Sequence, residues 1–388
     1  MTQRLMTYFS GHDLEYLGGI CFLFENNSDL LAAKKIFGDW SGQTGVQAYL
    51  SIAIRQHQQW SLMQISASDT LRALTPSYNT VDLSKRLGLP ELKSSRELDF
   101  EIVLTMARGP RAYCFPSCDE FFAALRIRRL TVLAARQTQL AFDPEGLERP
   151  AECWTYQEGN GFTLNAGVDL ITALTQTTQP LTDRSSYTFS CFRASEYVLL
   201  LALAQELKQT HPVMLAQIEA LWRTRALLAD DFNDAFMHEH GKLENPLPMK
   251  FYVPGDRVWF RNPDEASADI KGFEGSWVCY LGAAQFSNFW DRAHPYTLEQ
   301  KCLEVYHWRH GLARKPTGEL WMDESVVQEL VLQSEKDSLG MQEILTQMMR
   351  VRDGRGIYAQ GGCIDATRDA IRWVCPVTTD INVNNIVS

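Results

Sequence analysis

The chain has 388 residues, 45% of them apolar and 22% charged, enough for a sizeable core and too apolar for wholesale disorder. Lys and Arg total 37 against 47 Asp and Glu, a net charge of -10, so the basic footprint needed for nucleic acid or for anionic membranes is missing. The nine cysteines are odd in number, irregularly spaced and without a CxxC pair, which excludes a disulfide framework and a zinc-finger arrangement.

The start, Met1-Thr-Gln-Arg-Leu-Met-Thr-Tyr-Phe9, lacks an apolar core followed by a small-residue cleavage site, so no signal peptide is expected. That fits a cytoplasmic protein, or an effector exported without a cleavable leader. The apolar stretch 17–24 is too short to span a bilayer. Asn27-Ser28-Asp29 predicts a helix start, with a short amphipathic helix over 30–37. Partial alternation predicts a strand over 59–66. The Gly-Pro punctuation in Ala107-Arg-Gly-Pro-Arg111 marks a boundary. Residues 1–110 then read as an N-terminal extension of unknown role, 111–315 as a core and 316–388 as a C-terminal helical extension.

Within 111–315 a long helix is expected over 119–139, and its basic cluster Leu125-Arg-Ile-Arg-Arg-Leu130 reads as a solvated face. Pro144 and Pro150 break the chain, strands flank the turn 157–161, a short helix covers 168–176, and 180–186 is a loop. The run from Tyr197 to Ala204 is apolar all round, which marks a buried central helix. A helix over 213–228 follows, then strands over 251–260, 275–282 and 285–291, and a helix over 298–310. The tail shows one more clear helix, 341–350. Helices followed by antiparallel strands behind one buried helix make an α+β fold: a papain-like core with a central helix packed on an antiparallel sheet, plus N- and C-terminal extensions.

Cys191 lies where the extended segment Tyr187-Thr-Phe-Ser190 becomes the central helix. Free N–H groups and the positive end of the helix dipole stabilise a thiolate there, and the same N–H groups can hold an oxyanion. Papain-like enzymes place their nucleophile on such a helix, facing a sheet that supplies the base. A small buried core cysteine is the alternative for any such residue. Cys118 begins the 119–139 helix in the same way, but the following Asp119-Glu120 would raise its thiol pKa.

The segment Gly255-Asp-Arg-Val-Trp-Phe-Arg-Asn-Pro-Asp264, followed by Gly275-Ser-Trp-Val-Cys-Tyr-Leu-Gly282, resembles the bacterial spore-coat protein-glutamine gamma-glutamyltransferase family. Tyr187-Thr-Phe-Ser-Cys191-Phe-Arg-Ala is similar to that family's nucleophile segment, the run 121–135 to its first long helix, and Cys153-Trp-Thr-Tyr with Gly161-Phe-Thr-Leu to its small hairpin. The order and spacing agree over about residues 115–315. The resemblance implies calcium-independent acyl transfer without a metal or other cofactor. Cys191 would attack the carboxamide of a protein-bound glutamine, release ammonia and form a thioester. A lysine amine would resolve this to an isopeptide, and water would resolve it to glutamate.

Where the family has a glutamate before the nucleophile, this chain has Ser190. Where it has a second glutamate after a glycine, the chain has Ser276. Glu274 shares a strand face with Ser276, since the two are two residues apart, and so becomes a candidate. The family's histidine on the next strand is matched most nearly by His294, with Asp291 three residues before it. A Cys–His pair with a carboxylate orienting the imidazole is chemically sufficient. The candidate catalytic set is therefore Cys191, Glu274, His294 and Asp291. Glu274 and His294 also read as ordinary loop residues. His307 with His310 lacks a third metal ligand, and His238-Glu-His240 reads as a polar loop. The expected partners are a glutamine-bearing protein and lysine or water as acceptor. Two other readings stay open: a binding protein that kept the fold after losing its base, and a cysteine peptidase or amidase of the NlpC/P60 type.

Overall fold

The computed structural model describes residues 17–383 apart from 57–59, 90, 144, 147, 181–185 and 353–361. The amino-terminal segment 1–9, Pro144 and most of the 180–186 loop therefore lie outside the described residues.

The apolar stretch near the start becomes β1 (Gly19–Phe24), buried along its whole length. Asn26 caps α1 (Asn27–Thr44) by accepting from the Asp29 N–H, and Gly45 ends it at φ 83°. The helix runs a further turn and a half or more past residue 37, because no earlier glycine is made to adopt that left-handed geometry. β2 (Leu50–Gln56) and β3 (Ser61–Ala67) pair antiparallel. After the capping-box helix α2 (Ser95–Ala107), β4 (Ala112–Phe115) completes a four-stranded sheet in the order β2-β3-β1-β4. Ile20, Phe22 and Phe24 alternate into the main core, while Cys21 and Leu23 meet Leu62 on the opposite face.

α3 (Cys118–Gln137) follows, capped by Ser117. The solvated-face reading of its basic cluster is corrected here. Arg126 binds the buried Glu206 at 2.7 Å, Arg128 binds the buried Asp256 at 2.7 Å, and Arg129 pairs with Asp99. Their partners lie far away in sequence, so no local pattern announces them. Asp256 also accepts from the Val253 N–H at 2.8 Å. Gly255 sits at φ 88°, and a Cβ there would fall 2.8 Å from the backbone of Arg128. The Gly-Asp pair is thus a joint: glycine lets the chain touch α3, and aspartate meets the arginine.

α4 (Cys191–Thr210) is the central helix, with Ala194–Ala204 buried on every side. It packs on α3 and on a second sheet. That sheet is built from β5 (Met237–His240), β6 (Arg257–Arg261), β7 (Gly275–Gly282) and β8 (Gln285–Phe286). Behind it come α5 (Leu298–His307), α6 (Glu324–Lys336) and α7 (Ser338–Met348), and then β9 (Arg368–Ile371). The order is β8-β7-β6-β9-β5, all antiparallel. The expected strand over 285–291 is only two residues long, with a register shift between its two pairs, Tyr280 with Phe286 and Gly282 with Gln285, and the chain continues as loop. The tail is helical in part, and it also threads β9 into the sheet between β6 and β5.

Alternation along β7 divides the core. Cys279 and Leu281 face α4, in a core that runs from Ile20 to Val383. Val278 and Tyr280 join Val258 and Phe260 in a second core under α5 and α7. The fold is α+β, a central helix on an antiparallel sheet with further helices on the far face. No helix among the described residues is long and apolar enough to cross a membrane.

Candidate active site

Cys191 is the first residue of α4. Ser190 precedes it in extended geometry, and its hydroxyl accepts from the Arg193 N–H at 3.3 Å. The serine that stands in the place of a family carboxylate is therefore occupied as the helix cap. The Phe192 N–H, not claimed by the cap, bears on the sulfur of Cys191. From the sheet side the Trp277 N–H donates to Sγ at 3.5 Å, and Sγ lies 3.8 Å from the Gly275 carbonyl. Gly275 is required by the neighbouring strand β6, because a Cβ there would fall 2.1 Å from the Trp259 indole nitrogen.

Cys191 opens into a cleft of about 700 Å³. Phe142, Phe273, Trp290 and Trp308 give it aromatic walls, with Phe142 against Phe273 at 5.6 Å and against Trp290 at 5.2 Å. Asp291, His294, Lys301, Glu304, Glu324 and Glu335 supply its charged groups. The sequence-predicted Cys191, His294 and Asp291 thus share one cleft. His294 Nδ1 lies 2.7 Å from Asp291 Oδ2, the carboxylate–imidazole pairing expected. The hydrogen bond to His294 holds the Asp291 carboxyl below its ordinary value. His294 is 81% exposed at its side chain, and the sulfur's hydrogen-bond partners are backbone groups, so no Cys–His bond is formed.

Ser276 lines the cleft, whereas the exposed Glu274 turns back to accept from the Gly272 N–H at 3.0 Å. Glu274 still acts on Cys191 through its charge. Burial raises the Cys191 thiol above its ordinary value. The Trp277 N–H, the Lys301 charge and the Phe192 N–H oppose that rise, and Glu274 adds to it. A helix start alone therefore does not deliver a thiolate here, because desolvation outweighs it.

Lys301, Glu304 and the aromatic walls were missed in the sequence. Lys301 did carry a signal: with Leu298, Cys302 and Val305 it falls on the apolar face of α5, where a lysine is out of place. His238 and His240 lie on strand β5, not in a loop. His238 meets Asp380 at 2.6 Å and His240 packs on Tyr113. His307 and His310 face each other with Nδ1 atoms 3.2 Å apart, and burial pushes His307 down to about 4. Among the described residues no three His, Cys, Asp or Glu side chains gather to hold a metal ion.

The sequence model of the protein-glutamine gamma-glutamyltransferase family matches residues 80–353, more than half of the chain. The chain belongs to that family. The match begins after the first three strands and ends before β9, so this transferase family member carries a β1–β3 unit and a sheet strand outside the matched region. Among solved structures it is similar to a transglutaminase from Geobacillus stearothermophilus (without C-terminal extension), at 18% identity and a TM-score of 0.39, over 55% of this chain and 98% of that one. A search of curated proteins returned no match.

Proposed function

We propose that the protein transfers the γ-acyl group of a protein-bound glutamine, independently of calcium, through a thioester on Cys191. The cysteine proton passes through an intervening water to the His294 imidazole, which Asp291 orients and which shares the cleft without bonding the sulfur, and Sγ attacks the carboxamide carbon. The oxygen of the tetrahedral intermediate takes hydrogen bonds from the Trp277 and Phe192 N–H groups. The C–N bond breaks, the proton returns to the departing ammonia, and the thioester remains. A lysine amine then attacks the thioester, giving an isopeptide and restoring the thiol; water in its place gives glutamate.

The observation that carries this reading is the convergence of backbone N–H groups on the Cys191 sulfur at the mouth of the aromatic cleft. A second reading, a binding protein of the same fold, is favoured by Ser190 and Ser276 standing where the family has carboxylates. Incubation with a dansylated amine and a glutamine-rich protein separates the two. Acyl transfer predicts amine incorporation that is lost in Cys191→Ala and falls roughly 10²-fold or more in His294→Ala. It also predicts a rate unchanged by a calcium chelator. A wild-type protein that neither incorporates amine nor releases ammonia would overturn the acyl-transfer reading.

A further inference from the structure

We propose that Lys301 is the cation that stabilises the thiolate form of Cys191: its buried ammonium is fixed in the wall of the cleft into which that cysteine opens. The inference rests on the reading of Cys191 as nucleophile.

Lys301 is 2% exposed and occupies a core position of α5. It is held in place from two sides. Its ammonium is hydrogen-bonded to the Glu304 carboxylate and sits 3.5 Å from the centre of the Tyr296 ring. Tyr296 is itself fixed by reciprocal backbone bonds with Phe286, at 2.8 and 2.9 Å. A well-packed apolar residue would fill a purely structural position at least as well. The lysine lies instead where its charge reaches the cleft, and Lys301, Tyr296, Glu304 and Cys191 line that cleft together.

The charged groups that face Cys191 come from four elements. Lys301 and Glu304 stand on α5, Glu274 just before β7, Asp291 and His294 on the loop after β8, and Glu324 and Glu335 on α6. Lys301 is the side-chain charge that favours ionisation of the sulfur, and Glu274 opposes it. The neutral Ser190 and Ser276 complete the arrangement. With carboxylates absent from both positions, no negative charge beyond those of Glu304, which pairs with Lys301, and Glu274 is added beside the sulfur.

The test is the pH dependence of Cys191 alkylation by iodoacetamide in the full chain, followed by mass spectrometry of the Cys191 peptide. Lys301→Met is expected to move the midpoint to higher pH and slow alkylation about tenfold at neutral pH, the change that one unit of pKa produces. Lys301→Arg restores the profile, and Glu274→Gln moves the midpoint to lower pH. Lys301→Gln, which keeps a hydrogen bond to Glu304, carries the test if the methionine variant melts early. Overlaid profiles for wild type and the neutral variants overturn the proposal. So do midpoints that move the same way in Lys301→Gln and Glu274→Gln, as a purely structural effect would give. A predicted set of profiles without amine incorporation by wild type would sink the acyl-transfer reading and leave the Lys301 inference standing. Amine incorporation with overlaid profiles sinks the Lys301 inference alone.

Discussion

α3 and α4 begin in the same way and end up doing different things. Each is 20 residues long, each opens on a cysteine, and each is capped by the serine before it, Ser117 or Ser190. Cys118 nevertheless faces inward, its sulfur 3.8 Å from the Ala33 carbonyl, and burial with the neighbouring Asp119 pushes its thiol up to about 11. The first turn of α3 is used to fasten the tail: the Glu120 carboxylate accepts from the Val374 and Cys375 N–H groups and from the Thr378 hydroxyl. Cys191 instead takes a strand N–H and lines an open cleft whose wall also holds the buried Lys301. A cysteine at a helix start is therefore common ground. What lies across from the sulfur decides whether it has a chemical role.

The largest break in this comparison should come from the sulfurs themselves. Cys191→Ala is expected to lower amine incorporation on the order of 10³-fold or more, as loss of a nucleophile does, whereas Cys118→Ala should leave it within about twofold. Equal losses in the two variants would mean that the helices had been wrongly distinguished. Next is the joint that seats α3 beneath the active sheet. Asp256→Asn leaves Arg128 buried without its counter-charge and should cost about 3 kcal/mol in denaturant unfolding. A loss under about 1 kcal/mol would show that the joint is dispensable.

Much of the contrast was legible in the sequence. The all-round apolar run of α4 announced a central helix, and Asp119-Glu120 already counted against Cys118. The strand 275–282 is found with the bounds expected of it. What stayed hidden depends on contacts between distant segments. The arginines of α3 look solvated until Glu206, Asp256 and Asp99 arrive from elsewhere in the chain. β9 is a short strand whose place between β6 and β5 follows from the sheet order and not from its own residues. The hydroxyl of Ser190 reads as a missing carboxylate until its bond to the Arg193 N–H shows that it caps a helix.

Two smaller effects sharpen the comparison. In the native protein, iodoacetamide should label Cys191 about tenfold faster than Cys118 near pH 8, and Cys118 labelling should keep rising toward its pKa of about 11. The sign follows from access and from the thiolate being the reactive form: Cys118 is buried with its thiol pushed up, whereas Cys191 is half-buried and lines the cleft. Equal labelling rates would remove the electrostatic distinction between the two sites. The serine caps should matter equally. Ser117→Ala and Ser190→Ala are each expected to cost about 1 kcal/mol of stability by thermal or denaturant unfolding. A much larger loss in only one of them would show that the two helix starts are not alike.

The central claim is that Cys191 carries the acyl group, and trapping that intermediate tests it most directly. The protein is mixed with a glutamine-containing peptide without an amine acceptor, quenched in acid and digested, and the Cys191 peptide is examined by mass spectrometry. The account predicts an acyl adduct on Cys191, formed as ammonia is released, removed by hydroxylamine and absent in Cys191→Ala. Amine incorporation by Cys191→Ala at the wild-type rate, or an adduct on another residue, would contradict it.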